Sequence, residues 1–497
     1  YYEKPLLKFE RLLTSFVETY PRSLVPFVRA IPEWLDRKIK IERIIRRELG
    51  YRGELFFIPH HVSHAAAAFY PSPFAEAAIL TVDGIGEYQT TGLWHGDGTA
   101  IHAVARIDFP HSLGLLYAAF TAFLGFRVNG DEYKVMGLAP YGKPAYADAI
   151  RRIVDVRDDG SFRLDMRCFA FRERFHMWNR RFEALFGPPR RPGAPITGRD
   201  QNLAASIQAV TEDIYLNMLN HLHDLTGSPN VCIAGGVALN AVANGKIYGK
   251  TPFKNAYVFG PAGDSGAALG AALFAYHGIS NRTPRHRIDD LRLGTAYPRG
   301  AIESALQTKN LKPQHLNEED LIQRVARLLA EGNIVGWFQG RMEFGPRALG
   351  ARSILSSPRP AAMKERVNKV KRREQFRPFA GSILQERVHE YFRVPEPNHA
   401  SPFMTFCFPV RPEKQGELAA IVHADGTCRV QTVEPTDGRY YALIKNFSNL
   451  TGTPCLLNTS FNLRDEPLIE RPEQAIEDFL KTPMDALAIG NFLLTKR

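Results

Sequence analysis

"NVCIAGGVALNAVANGKI" (residues 230–247) and "AYVFGPAGDSGAALGAALFAY" (residues 256–276) repeat one plan. Each opens on an apolar run, passes through a glycine-flanked turn and enters a stretch of small residues compatible with helix. Strand, tight turn, helix is the layout that sets backbone N–H groups and a helix amino terminus against an anion. A single Gly-Gly turn before a helix is equally well explained by close packing. Two such turns on one sheet point to an α/β domain with a nucleotide cleft. Asp264 stands in the second turn.

Upstream, residues 75–108 alternate short β-rich runs with Asp-Gly turns and predict a strand meander, with Asp83 at the end of its first strand. "LGLLYAAFTAFLGF" reads as a buried helix and "RVNGDEYKVMGLAPYG" as a polar turn. Residues 142–200 are irregular and end in a Pro- and Gly-rich tract, which suggests an insertion or lid. A long helix then leads into the first strand-turn-helix. The first 50 residues place Phe9, Leu12, Leu13, Phe16, Val17 and Tyr20 on a helical period, as an amphipathic cover over a core. Around 280–300 the chain is polar and without period, and a domain boundary is expected there. Beyond it come a helix and strand, a basic block, further strands and turns, a last helix at "RPEQAIEDFLKT" and a strand at "ALAIGNFLL".

"HHVSHAAAAFYPSP" (residues 60–73) follows Pro59 and meets Pro71, so it predicts a short Ala-rich helix. His60 and His64 then share one face, where two neutral imidazoles converge on a single point and suit one metal ion. The same spacing also serves two capping or core histidines. His61 points about 100° away.

The chain has 497 residues, 44% hydrophobic and 23% charged, as expected of a globular protein of two or more domains. Its five cysteines never fall in a CxxC pattern, which disfavours a disulfide framework or zinc knuckle and fits a reducing cytoplasm. No apolar run is long enough for a membrane span. The net charge of +11 raises the question of nucleic acid, but between Arg341 and Arg377 eleven Lys or Arg face three Glu. That cluster lacks interleaved aromatic platforms and contains tight-turn glycines, so a phosphate pocket explains it better than a groove for a polymer. Lys364, Arg366 and Lys369 fit a solvated helix face.

Taken in order, "HHVSHAAAAFYPSPF", "TVDGIGE", "NGDEYKVMGLAPYG", "IAGGVALN", "GDSGAALGAA", "GRMEFGPRALGARSIL", "REQFRPFA", "HADGTCRVQTV" and "NTSFN" resemble the O-carbamoyltransferases of the NodU/CmcH type, which modify antibiotics and nodulation factors. The resemblance covers nearly the whole chain. It implies α/β and α+β architecture: an actin/hexokinase-type (ASKHA, TsaD-like) domain over residues 1–287, followed by a YrdC-like α/β domain over residues 288–497. It implies that the second forms carbamoyl-adenylate from carbamoyl phosphate and ATP, with Mg. The first passes the carbamoyl group to a hydroxyl of a small-molecule acceptor, a secondary metabolite or sugar. It further implies a divalent metal, iron(II) by family assignment, on His60, His64, Asp83 and Asp264. In the same domain Gly235, Gly236 and Asn240 are expected to cradle nucleotide, Lys134 to contact the adenylate or carbonyl, and Glu132 stands with Asp83 and Asp264 as a candidate base.

In the YrdC-like half the resemblance nominates Arg341, Arg347, Arg352, Lys371 and Arg377 as a clamp for the crowded phosphates, with Asn458, Ser460 and Asn462 as the polar turn beside it. His423, Arg429 and Gln431 are weaker candidates. The family's amino-terminal hairpin, with its catalytic histidine, has no counterpart before Tyr1, and a truncated chain is the expectation. No nucleic acid or membrane partner is expected, and a homodimer is the base-rate expectation. The rival readings are a tRNA-modifying or maturation-type carbamoyl enzyme and a non-catalytic, nucleotide-binding actin-like regulator.

Overall fold

Residues 76–82, EAAILTV, carry apolar side chains on both faces, the pattern of a strand covered on both sides. In the computed structural model, which describes residues 1–174 and 176–496, they form a central strand buried from Ala77 onward. This strand β1 (Glu76–Val82) pairs antiparallel with β2 (Gln89–Asp97), and β2 with β3 (Ala100–Asp108), through the tight turn at Gly98. A separate hairpin, β4 (Val154–Val156) and β5 (Phe162–Leu164), lies within the 142–200 stretch. On its other edge β1 pairs parallel with β6 (Asn230–Ala234), which pairs parallel with β7 (Asn255–Val258). The sheet order is therefore β3-β2-β1-β6-β7.

The helices that flank this sheet follow from small residues. The His60–Phe69 helix buries Ala65, Ala66 and Ala68 in one cluster with Ile79, Trp94, Cys232 and Ala234. It lies directly against the Asp264–Leu273 helix: a Cβ placed on Gly270 would stand 1.9 Å from the Ser63 carbonyl oxygen, so only glycine permits this approach. The Gly198–Thr226 helix begins with a capping box between Thr197 and Asp200.

Several expectations are corrected here. "DEYKVMGL" is not a polar turn. Residues Glu132–Leu138 form a helix whose last five residues are buried, because Lys134 and the apolar residues after it fit the space beside the long helix. The 142–200 stretch is anchored by aromatic packing: Phe182 and Trp178 stand edge to face on Phe123, and Phe182 also packs tilted on Phe120, at centroid distances of 4.9–5.2 Å. After Gly236 the chain makes a short 3₁₀ turn and two brief helices where one helix was expected. The first 50 residues form helices Pro5–Thr19, Leu24–Glu33 and Ile41–Leu49, none of which buries a residue fully.

The chain divides between Ile288 and Asp289. The second unit holds a mixed sheet built from β8 (Gln314–His315), β9 (Val335–Phe338), β10 (Arg352–Ser356), β11 (Ala380–Leu384), β12 (Phe406–Pro409), β13 (Thr427–Val433), β14 (Cys455–Ser460), β15 (Ala486–Ile489) and β16 (Phe492–Thr495). Its order is β12-β13-β11-β14-β10-β9-β15-β16-β8. The helices Glu318–Ala330 and Arg439–Thr451 cover one face around Trp337, Leu355, Val433, Leu456 and Ala488. The run "ALAIGNFLL" is two strands, since Gly490 at φ +54° turns the chain between them. No helix among the described residues is long and apolar enough to cross a membrane.

Candidate functional site

The predicted helix over 60–69 delivers both histidines to one point. His60 Nε2 and His64 Nε2 face each other at 3.0 Å. Asp83, just past the end of β1, sets Oδ2 at 2.9 Å from His60 Nε2 and 3.3 Å from His64 Nε2. Asp264, the first residue of its helix, sets Oδ1 at 3.5 and 3.4 Å from the same two nitrogens. These four ligand atoms lie within 4.8 Å of one another. Donors that bind a single first-row ion at about 2.0–2.2 Å stand roughly 3.0–3.5 Å apart, so the set fits such an ion. The two imidazoles are buried, whereas the Asp264 side chain is 57% exposed and forms the open side.

The Gly-Gly turn holds Asp83 in place. Asp83 Oδ1 accepts from the N–H groups of Gly84 at 2.8 Å and Gly236 at 3.1 Å, which leaves Oδ2 aimed at the histidines. Gly236 therefore serves this carboxylate with the very N–H that the sequence offers to a phosphate. Asn240, also a nucleotide candidate, caps the helix at Ala243 and exchanges hydrogen bonds with Gln208. Glu132 accepts from the N–H groups of Asn129 and Gly130 and so closes the turn before its own helix. Lys134 is buried, 3.0 Å from Asp131 Oδ1.

Three residues around the cluster were not found in the sequence. Glu3 Oε1 stands 3.5 Å from His60 Nδ1, behind the ring. Glu87, buried, accepts the His60 backbone N–H at 3.1 Å and the Lys4 N–H at 2.7 Å, tying the start of the histidine helix to the chain's first residues. The Tyr2 ring lies 5.9 Å from that of His60. Only Glu87 left a signal, inside "TVDGIGE"; Glu3 and Tyr2 reach the site through tertiary contacts that no local pattern records.

The electrostatics describe a place made for positive charge. Burial opposes a charged His60, yet the hydrogen bond to Asp83 and the nearby Glu3 carboxylate outweigh it and lift the imidazole to about 10. Against the same burial, Asp264 and Asp83 raise His64, and the two histidines hold Asp83 well below the usual carboxylate range. Burial, then Asp264 and Glu3, push the Tyr2 hydroxyl up to about 12. Glu3, which burial alone would raise, is held at about 2 by His60 and Lys8.

The second unit gathers some of its predicted residues and withdraws others. Lys371 Nζ donates to the Asn462 carbonyl at 2.9 Å, to Asn462 Oδ1 at 2.8 Å and to Ser460 Oγ at 3.3 Å. Burial, Arg373 and Arg377 drive its pKa well down. Burial, with a contribution from Arg377, lowers Arg429, and His423, lowered to about 4 chiefly by burial, feels Arg429. Asn458 and Gln431 share a buried network with Ser382 that holds the Ala348 and Leu349 carbonyls. Arg347 is half-buried in the loop they hold, between Gly345 and Gly350.

Arg352 and Arg341 stand in different surroundings. Arg352 is fully buried over the Phe338 ring and donates to the carbonyls of Gln339, Gly340 and Thr295. A guanidinium so enclosed braces that loop. Arg341 donates to the carbonyls of Leu293 and Gly294. The sequence also hid Glu343, whose Oε1 accepts the N–H groups of Leu349, Ala351 and Arg352 at 2.7–3.1 Å.

Residues 1–273 match the family model described as Carbamoyltransferase N-terminus, and residues 326–496 match Carbamoyltransferase C-terminus. The chain belongs to the carbamoyltransferase family. This carbamoyltransferase is 44% identical to the uncharacterized protein sll1178 of Synechocystis sp., over 100% of this chain and 86% of that one. It is 39% identical to Nodulation protein NolNO of Sinorhizobium fredii, over 93% of this chain and 68% of that one. A solved structure of T. kodakarensis HypF aligns with 49% of the carbamoyltransferase and 39% of its own chain, at 14% identity and a TM-score of 0.28, too low to carry an argument.

Proposed function

We propose that this carbamoyltransferase works in two stages, with ATP as activator and a small-molecule hydroxyl as acceptor. In the first stage carbamoyl phosphate and water give carbamate and phosphate. A carbamate oxygen then attacks the α-phosphorus of ATP, with Mg, to give carbamoyl-adenylate and pyrophosphate. In the second stage the acceptor hydroxyl attacks the carbamoyl carbon, AMP leaves, and the hydroxyl proton passes to a base. The YrdC-like reading of the second unit and the actin/hexokinase-type reading of the first go with this division.

What carries the proposal is the segregation of charge. The acidic and imidazole cluster of His60, His64, Asp83 and Asp264 lies wholly in the first unit, and the arginines Arg347, Arg377 and Arg429 lie wholly in the second. Cations fixed beforehand offset the repulsion of the phosphates brought together in adenylation. His60, His64, Asp83 and Asp264 would hold a divalent ion, iron(II) by the family resemblance, which would supply positive charge near the carbamoyl group. Asp83 and the Gly236 N–H fix the cluster, and Asp264 gives it an exposed side toward an acceptor. The acceptor in this reading is a secondary metabolite or sugar.

The test is to incubate metal-replete protein with ATP and carbamoyl phosphate, without acceptor, and to detect carbamoyl-adenylate and pyrophosphate by mass spectrometry and phosphorus NMR. Arg347→Ala is expected to stop adenylate formation and keep the metal, and His64→Ala to do the reverse. If both variants lose the same step, the two-site scheme is wrong.

A further inference from the structure

The first 56 residues hold 13 of the 23 exposed large apolar side chains among the described residues. The helix Leu24–Glu33, continued by a wider turn to Lys38, shows why. One side faces inward: Phe27 stacks on Phe16 at 4.1 Å, and Trp34 is buried beside Phe9. The opposite side carries Val25, Val28 and Leu35 at 58%, 58% and 52% exposure, spaced as one stripe along the helix. The Pro5–Thr19 helix adds Leu6, Leu13 and Val17 at the same kind of spacing. A helix meant to meet only water has no use for a second apolar face.

Positive charge accompanies the stripe. Between residues 21 and 52 nine Lys or Arg face four Asp or Glu. Arg43 and Arg52 make no hydrogen bond or ion pair among the described residues, and with Arg46, Arg47 and Tyr51 they line a shallow concavity of about 610 Å³. Leu49, in the same segment, is 76% exposed. The segment thus offers both exposed apolar side chains and an excess of cations, of which Arg43 and Arg52 are unpaired among the described residues. They match a bilayer interface, where acyl chains accept the one and lipid phosphates the other. The helices are too short to cross, so contact is peripheral.

We propose that residues 24–52 bind the surface of an anionic phospholipid bilayer, against the sequence-based expectation of no membrane partner. The test is sedimentation of the full chain with vesicles of phosphatidylcholine alone and of phosphatidylcholine mixed with phosphatidylglycerol. Binding is expected to the mixed vesicles only and to weaken as salt rises. Arg43→Glu with Arg52→Glu, and separately Val25→Asp with Leu35→Asp, are each expected to weaken binding about tenfold or more, with circular dichroism and carbamoyl-adenylate formation unchanged. No sedimentation with either vesicle, or equal sedimentation with both, overturns the proposal. So does a dimer in light scattering that Val25→Asp with Leu35→Asp dissolves, since the stripe would then be a contact between copies of this chain.

Discussion

Glu3 is the residue whose partners say most and whose sequence context says least. A carboxylate behind a metal-binding imidazole fixes the ring and raises its basicity. Glu3→Gln keeps the shape and removes the charge, so metal affinity is expected to fall about 10–100-fold, measured by competition with a chromophoric chelator, while adenylate formation persists. Asp478 supplies a pH prediction. Burial and Glu466 lift its carboxyl to about 6, and its Oδ2 has no hydrogen-bond partner. A carboxyl raised in the folded state binds protons that the unfolded chain releases. Its ionisation therefore costs stability above about pH 6, and the cost fades as pH falls toward the ordinary carboxylate range. Asp478→Asn is expected to raise Tm by about 2–4 °C at pH 8 and to change it little at pH 4, by calorimetry. At this scale the sequence exposes what local spacing records, the His60 and His64 pair and the aspartates in glycine turns. It hides Glu3 and Glu343, which act on residues far along the chain or on backbone alone.

Between elements, the closeness of the His60–Phe69 and Asp264–Leu273 helices sets the distance from histidines to Asp264. Gly270→Val must push the helices apart, since even its Cβ meets the Ser63 carbonyl. A loss of about 1–3 kcal/mol is expected in denaturant unfolding, together with metal content well below that of the parent protein. The 343–352 loop depends on Glu343 in another way. Glu343→Ala leaves three buried N–H groups without an acceptor, and the loop carrying Arg347 is expected to lose adenylate formation with metal retained, read by pyrophosphate release. The His60–Phe69 helix was legible because prolines bracket it. The Glu132–Leu138 helix was not: its Asn-Gly-Asp start reads as a turn, and only burial against the long helix decides otherwise.

For the molecule as a whole, hydrogen exchange separates the two units. Removing metal with a chelator is expected to raise exchange in peptides covering residues 60–69, 76–83 and 260–273, and to leave those covering 335–356 unchanged. The twin strand-turn-helix segments made the first sheet readable. The nine-strand order of the second sheet was out of reach, because β9 pairs with β15 across some 150 residues and no local pattern encodes a partner that distant. The same remoteness marks the four-residue cluster. During synthesis its two histidines and Asp83 leave the ribosome early, and Asp264 follows some 180 residues later. Until then the cluster is three-quarters made, so charging it with an ion belongs to the finished amino-terminal unit, and a ribosome stalled before residue 264 carries a histidine pair with nothing to close it.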